Sequence, residues 1–187
     1  QMISDIGRQP ADLTRILVTH ADLDHVGSLA AVQEATGAKI VASRRTADFL
    51  VQGKSPQHLP RLIQLIVNLL FKYKPVSADN IVTVADGETL PFLGDVQVIG
   101  SPGHTPDHIS FYCPQTGVLF AGDALNTRHG RINPSPKRIT ADLDAAKNSA
   151  ITLLGLAPAV LACGHGVPLT NHNSADLMAA FNAIRQE

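Results

Sequence analysis

Short apolar runs alternate with segments of helical periodicity along most of the chain. Buried strands are predicted where the apolar runs are short, at residues 15–19, 39–42 and 159–163. Helices are predicted where apolar residues recur every three to four positions, at residues 27–35, 43–51, 141–156 and 174–185. Turn residues divide residues 81–122 into short runs that predict an antiparallel meander. This alternation predicts one layered α/β (α+β) domain.

Two of these helices carry further expectations. Gly37 and Ser43 are expected to cap helix ends, at a C-terminus and an N-terminus respectively. The closing helix at 174–185 is expected to turn four apolar side chains inward, namely Leu177, Met178, Phe181 and Ile184.

Residues 59–74 predict a helix with an unusually broad apolar surface. Its polar residues Arg61, Gln64, Asn68 and Lys72 fall along one narrow face. Three interpretations stay open: burial in the core or in a homodimer contact, a lid over an apolar substrate, and a helix lying on a membrane surface. The run is far shorter than the ~20 residues that span a bilayer, so no transmembrane segment is expected. We therefore divide the chain into one domain, 1–187, with a helical insertion or lid at 55–76.

Composition narrows the possible partners and the compartment. The chain has 187 residues, 44% of them hydrophobic, and a net formal charge of −1, which is typical of one globular domain. The absence of a Lys/Arg-rich block argues against nucleic acid as a partner. Cys113 and Cys163 form neither a disulfide-rich pattern nor a metal-binding Cys pair. A reducing, cytoplasmic location is expected.

Histidine and aspartate residues cluster where the predicted strands end. The candidate ligands are His20, Asp22, Asp24, His25, His104, Asp123 and His165. Imidazole and carboxylate together suit Zn, Mn, Fe or Co, and loops at strand ends bring distant parts of a chain to one point. If the first segment is extended, His20, Asp22 and Asp24 share one side and His25 turns to the other flank. The sequence therefore predicts a site for two metal ions.

These residues resemble the motifs of the metallo-β-lactamase superfamily over essentially the whole chain. The family signature His-x-His-x-Asp-His corresponds to residues 20–25, with Asp22 where most members carry the second histidine. The segment PGHTPDHIS around His104 resembles the glyoxalase II-like and lactonase-like branches, and Asp123 and a Gly-His165-Gly segment follow in the family's order. The resemblance implies a four-layer αββα sandwich. The chain begins near the family's first helix, so the N-terminal strands are expected to be missing by truncation or supplied by another copy.

The same resemblance implies a ligand set and a mechanism. One ion would be held by His20, Asp22 and His104, the other by Asp24, His25 and His165, with Asp123 bridging. A hydroxide between the ions would attack the substrate, and Asp24 would take up the proton, which makes Asp24 and Asp123 the expected catalytic carboxylates. Two divalent ions are expected as cofactors, Zn first, with Mn or Fe favoured by the extra carboxylate at Asp22.

Residues near these ligands carry weaker expectations. His108 is expected to hydrogen-bond to a ligand or to have a purely structural role. Arg128 and His129 follow the bridging aspartate and are expected to line the mouth of the site, or to lie in an ordinary solvated loop. His58 and His172 are expected at the surface.

The predicted function is a metal-dependent hydrolase of an ester-like bond. A lactone or thioester with an acyl or other apolar part is favoured over a β-lactam or phosphodiester, because the helix at 59–74 is so apolar and no basic surface is expected. Two alternatives stay open: a non-haem iron oxidoreductase of the same fold, and a non-catalytic metal-binding module.

Overall fold

The computed structural model describes residues 2–59, 61–70, 72–170 and 174–186. The α-helices are α1 (Met2–Asp5), α2 (Leu23–Val26), α3 (Leu29–Thr36), α4 (Arg44–Gln52), α5 (Arg61–Leu70), α6 (Leu143–Gly155) and α7 (Ser174–Gln186). The strands are β1 (Arg15–Leu17), β2 (Lys39–Ser43), β3 (Ile81–Val84), β4 (Thr89–Leu90), β5 (Val96–Gly100), β6 (Ile109–Cys113), β7 (Val118–Gly122), β8 (Leu125–Asn126), β9 (Asn133–Pro134) and β10 (Val160–Cys163). Most of the predicted strands and helices are confirmed, and His172 lies outside the described residues.

The strands form two main sheets. The first sheet has the order β1-β2-β3, and all of its strands are parallel. The second has the order β10-β7-β6-β5-β4, in which β4 to β7 are antiparallel neighbours and β10 runs parallel to β7. The predicted meander is therefore confirmed for β4 to β7. It is wrong for β3, which pairs in parallel with β2.

Alternation of side chains along the strands produces four layers. In β2, Ile40 packs among residues of α3 and α4, whereas its neighbour Val41 packs between the two sheets. In β7, Leu119 packs against α6 and α7 on the far side of the second sheet, whereas Val118 faces the space between the sheets. The order is helices, sheet, sheet, helices, as the αββα expectation requires.

Strand ends from both sheets meet at one edge and carry the histidine and aspartate clusters. The first cluster follows β1, His104 follows β5, Asp123 follows β7 and His165 follows β10. The turn before His104 depends on Gly103, whose φ is 141° and where a Cβ would overlap the backbone of Ala146 in α6. This close approach seats the loop against the helix.

One prediction about helix faces is wrong, and one face that the sequence left open is now defined. In α5, Gln64 of the narrow polar face is buried, while Ile63, Leu65 and Ile66 are exposed. The helix α5 therefore turns its polar face inward at Gln64. The wrong prediction concerns Met178 in α7, whose side chain was expected to point inward and is exposed. Among the described residues, no helix is both long and apolar enough to cross a membrane.

Candidate metal centre

The first ligand segment is a helical turn and not the extended segment expected. Asp22 has extended backbone angles and stands at the N-terminus of α2, where its carbonyl accepts hydrogen bonds from the backbone N–H groups of His25 and Val26. Asp24 and His25 therefore lie on the turn itself. This turn places His20 with Asp22 and Asp24 with His25, and the ligand atom of His25 also lies within 4.8 Å of those of His20 and Asp123.

A first group of ligand atoms comes from His20, Asp22 and His104, all of them buried. The Asp22 Oδ2 atom lies 3.1 Å from His104 Nε2 and 3.6 Å from His20 Nε2. The three ligand atoms lie within 4.8 Å of one another. Two imidazoles and one carboxylate at these distances suit a divalent transition metal.

A second group comes from Asp24, His25 and His165, which are more open to solvent. The Asp24 Oδ2 atom lies 3.3 Å from His165 Nε2 and 3.8 Å from His25 Nε2. The side chain of Asp24 is 59% exposed. This second group therefore lies on the solvent side of the first.

Asp123 lies between the two groups and faces both. Its Oδ1 atom lies 3.3 Å from His25 Nε2, and its Oδ2 atom lies 3.6 Å from His104 Nε2 and 3.3 Å from His165 Nε2. One carboxylate thus contacts imidazoles of both groups, which is the position that a bridging ligand requires.

His108 holds the backbone of Asp123 in place. Its Nε2 atom accepts the Asp123 backbone N–H at 3.0 Å, so its Nδ1–H donates to Ser101 Oγ at 2.8 Å. Burial lowers the pKa of His108 well below its usual value, which keeps the ring neutral and able to accept that bond. A Cβ on Gly122 would come within 2.6 Å of His108 Nε2, so glycine there leaves room for the ring.

Three buried ligand atoms have no hydrogen-bond partner among the described residues: His20 Nε2, Asp22 Oδ1 and Asp123 Oδ1. A buried polar atom without a partner costs about 1–3 kcal/mol. Two of the three are carboxylate oxygens and the third is an imidazole nitrogen, all of which can bind a cation. The residues present therefore fit divalent metal ions.

The charges of the site favour ionised carboxylates. Burial by itself would raise the pKa of Asp22, but the adjacent imidazoles of His104 and His20 outweigh it and hold the pKa well below its usual range. Burial opposes ionisation of Asp123 in the same way, but the adjacent imidazole of His25 lowers its pKa to about 2. Both groups are thus anionic and ready to bind a cation near neutral pH.

A cavity of about 200 Å³ opens over the two groups. Asp24 and His165 line it from the ligand side, and Leu59 and Val67 contribute apolar surface from the segment that includes α5. Ile139 adds to the apolar lining. Charged ligands and an apolar wall therefore face one another across the cavity.

Two expected residues lie apart from the cavity, and one unexpected residue lies in it. Arg128 and His129 are exposed beside β8 and do not line this cavity. His58, expected at the surface, has a side chain only 7% exposed and a ring nitrogen 3.3 Å from Asp22 Oδ2.

Cys163 has a pKa raised to about 12 by burial and by the charge of Asp123, so its thiol is unreactive.

Comparison with known families decides the relationship. The model of the metallo-β-lactamase superfamily matches residues 1–165. The chain belongs to this superfamily. The match confirms the resemblance drawn from the motifs at residues 20–25, 104, 123 and 165.

Individual superfamily members are similar at moderate identity. The probable metallo-hydrolase YflN of Bacillus subtilis is 28% identical over 190 residues, covering 92% of this chain and 72% of YflN. The hydroxyacylglutathione hydrolase of Rhodobacter capsulatus is 32% identical over 114 residues, covering 60% of this chain and 34% of that enzyme. A crystal structure of an archaeal superfamily protein from Sulfolobus tokodaii aligns with a TM-score of 0.70 at 21% identity, covering 91% of this chain and 67% of that one. The names of the first two support a hydrolase at the level of the family.

Proposed function

We propose that this superfamily member hydrolyses ester-like bonds in small molecules and uses two divalent metal ions, Zn first and Mn or Fe as alternatives. The observation that carries the proposal is the position of Asp123 between two groups of ligands. His20, Asp22 and His104 would hold one ion, and Asp24, His25 and His165 the other. Residues 1–187 would act as one domain, with 55–76 as a lid.

Charge balance supports two ions. Asp22, Asp24 and Asp123 carry a formal charge of −3, which together with one hydroxide would make −4 against +4 from two divalent ions, so the loaded site would be neutral. A mononuclear site would leave excess negative charge on partly buried carboxylates, which is costly. The third carboxylate also makes Mn or Fe more competitive with Zn than in a site richer in histidine.

The bound ions would supply a deprotonated water near neutral pH and a positive charge to polarise the scissile carbonyl. Residues of the chain itself would transfer the proton and orient the bridging carboxylate. Asp24 lies at the solvent side of the site and is placed to accept and release a proton as the leaving group departs. Asp123 is kept in position by His108, which orients the carboxylate between the two ligand groups.

The apolar side of the cavity favours substrates with an acyl chain or ring. Leu59, Val67 and Ile139 offer no charge or donor to a polar substrate but can bury hydrocarbon. A lactone or thioester combines such a part with a carbonyl. The hydroxyacylglutathione hydrolases among the relatives support the thioester version.

A substrate panel tests the proposal directly. Metal-loaded protein should hydrolyse an acylglutathione thioester or an acyl-substituted γ-lactone faster than a β-lactam or a phosphodiester, and chelation should abolish the activity. Turnover of none of the four would contradict the hydrolase proposal. Bound iron with visible absorption and no ester hydrolysis would favour the oxidoreductase instead.

The proposed lid leads to a separate prediction about the binding of long-chain substrates. Val67→Ser should raise KM for a long-chain acyl substrate about five-fold, because roughly 1 kcal/mol of apolar contact is lost. KM for a short-chain substrate with the same scissile bond should stay unchanged. Leu65→Ser is the matched control, since Leu65 lies on the same helix but its side chain is exposed to solvent. Equal KM values of Val67→Ser and the wild type for the long-chain substrate would show that α5 does not contact the substrate.

A further inference from the structure

His58 lies in the loop between α4 and α5 and faces the first group of metal ligands. Its Nε2 atom is 3.3 Å from Asp22 Oδ2, and its ring centre is 5.1 Å from that of His104. Its side chain is almost fully buried. A histidine from outside the family's motifs thus reaches the same carboxylate oxygen as two motif histidines.

The Nδ1 atom of His58 fixes its tautomer. It lies 3.3 Å from the carbonyl oxygen of Pro56, which only accepts hydrogen bonds, so Nδ1 carries the proton. In the neutral ring, the Nε2 atom then directs a lone pair at the Asp22 carboxylate, and two acceptors cannot hydrogen-bond to each other. Either a second proton on Nε2 or a metal ion satisfies this contact, and the convergence of three imidazoles on one carboxylate oxygen favours the metal ion.

The rings of His20 and His104 are placed similarly, although the oxygens at their Nδ1 atoms belong to hydroxyl groups, which can donate or accept. Nδ1 of His20 lies 3.0 Å from Thr19 Oγ1, and Nδ1 of His104 lies 3.1 Å from Ser135 Oγ. In each ring, Nδ1 contacts an oxygen and Nε2 points toward the same carboxylate as Nε2 of His58. Metal-binding histidines typically use the second nitrogen in this way to set the tautomer and the ring direction.

The loop that carries His58 is held at both ends. Gln64 Oε1 accepts the backbone N–H groups of His58 and Leu59, each at 3.1 Å, which ties the loop to α5. The Tyr73 hydroxyl donates to the carbonyl of Lys54 at 2.5 Å, which ties it to the chain after α5. The buried position of Gln64, contrary to its sequence pattern, is explained by these bonds.

We propose that His58 is a ligand of the first metal ion and supplies the imidazole that the motif loses at Asp22. The first ion would then be bound by His20, His58, His104 and Asp22, with Asp123 shared. This inference rests on the proposed dinuclear site and adds a ligand from the lid to it. Because Gln64 joins this loop to α5, binding of the first ion would also fix the lid over the cavity.

The test compares wild-type protein with His58→Ala and with Gln57→Ala, an exposed neighbour in the same loop. His58→Ala should weaken one of two metal equivalents by more than the roughly 10- to 100-fold lost when a group that only orients a ligand is removed. Gln57→Ala should bind both equivalents with unchanged affinity. Binding is measured by competition with a chromophoric chelator, with Zn as the probe.

Proton NMR of the Co(II)-loaded protein provides a second measurement that needs no variant. Each ligand imidazole contributes one exchangeable N–H resonance shifted by the paramagnetic ion. Five such resonances in the wild type support ligation by His58, and four overturn it. Two bound equivalents with four resonances would leave the proposed function intact, whereas a wild type that binds no metal would remove both proposals.

Discussion

Asp123→Asn should remove both metal sites at once and lower kcat/KM for ester hydrolysis by about 10³-fold, which corresponds to several kcal/mol of lost transition-state stabilisation. Asn has the same shape but lacks the charge, so it binds a divalent cation poorly. Because the Asp123 oxygens contact His25 in one group and His104 in the other, neither group stays complete. Elemental analysis and the hydrolysis assay measure the two effects on one preparation.

The matched control is Asp107→Asn. Asp107 is also buried, but its Oδ2 atom accepts a hydrogen bond from Thr46 Oγ1 at 2.7 Å, which Asn can accept as well. This variant should keep its metal and most of its activity. Two bound equivalents in Asp123→Asn would contradict the bridging role.

Gly164→Ala should disrupt the second ligand group and displace the carboxylate of Asp123. A Cβ at this position would overlap Asp123 Oδ1 and the Cε1 atom of His25, both of which belong to the ligand cluster. Overpacking of this kind costs about 1–3 kcal/mol of stability. Because Asp123 faces both ligand groups, we expect the bound metal to fall from about two equivalents to less than one, with a loss of activity that metal supplementation does not restore.

Gly155→Ala is the control for Gly164→Ala, because it adds the same methyl group to a glycine where that group meets no other atom. No atom lies within 4 Å of a Cβ at this position, which is the last residue of α6. Replacement there should be neutral or stabilise the fold by up to about 1 kcal/mol. Equal metal content in Gly164→Ala and Gly155→Ala would show that the ligands tolerate the added methyl group.

Local sequence signals predicted most of the elements because their physical causes are local. Ser43 accepts the backbone N–H of Thr46 at the start of α4, and Gly37 ends α3 with a φ of 69°. The pairing of β3 could not be predicted in this way. A short apolar run does not indicate whether it pairs in parallel with β2 or antiparallel with β4.

The motif residues converge because they stand at strand ends, which one edge of the fold brings together. The exact path of the first segment escaped prediction, because Asp22 begins a helical turn where alternation suggested an extended strand. Local alternation of polar and apolar residues is compatible with both over so few positions. The outcome places Asp24 and His25 together, as two groups of ligands require.

His58 had no local signal that distinguishes it from a surface histidine. Its position depends on two contacts of the folded chain: Gln64 in α5 accepts the backbone N–H of His58, and Tyr73 after α5 donates to the carbonyl of Lys54 in the same loop. One indirect signal was present in the sequence. The loss of an imidazole at Asp22 leaves room in the ligand set, and a histidine elsewhere in the chain can fill it.

The orientation of α5 could not be predicted because its polar residue Gln64 has partners inside the protein. Gln64 turns inward to accept two backbone hydrogen bonds, and the apolar Leu65 and Ile66 are consequently turned toward solvent. Periodicity assumes that polar side chains prefer water. Here two hydrogen bonds outweigh that preference.

Metal content determined by elemental analysis, on wild type and Asp22→Ala side by side, shows whether the protein holds a dinuclear centre. We expect about two equivalents of Zn, Mn or Fe in the wild type and about one in Asp22→Ala, because only the first ligand group contains Asp22. A wild type without bound metal, or a variant with the same content as the wild type, would contradict a dinuclear centre built on Asp22.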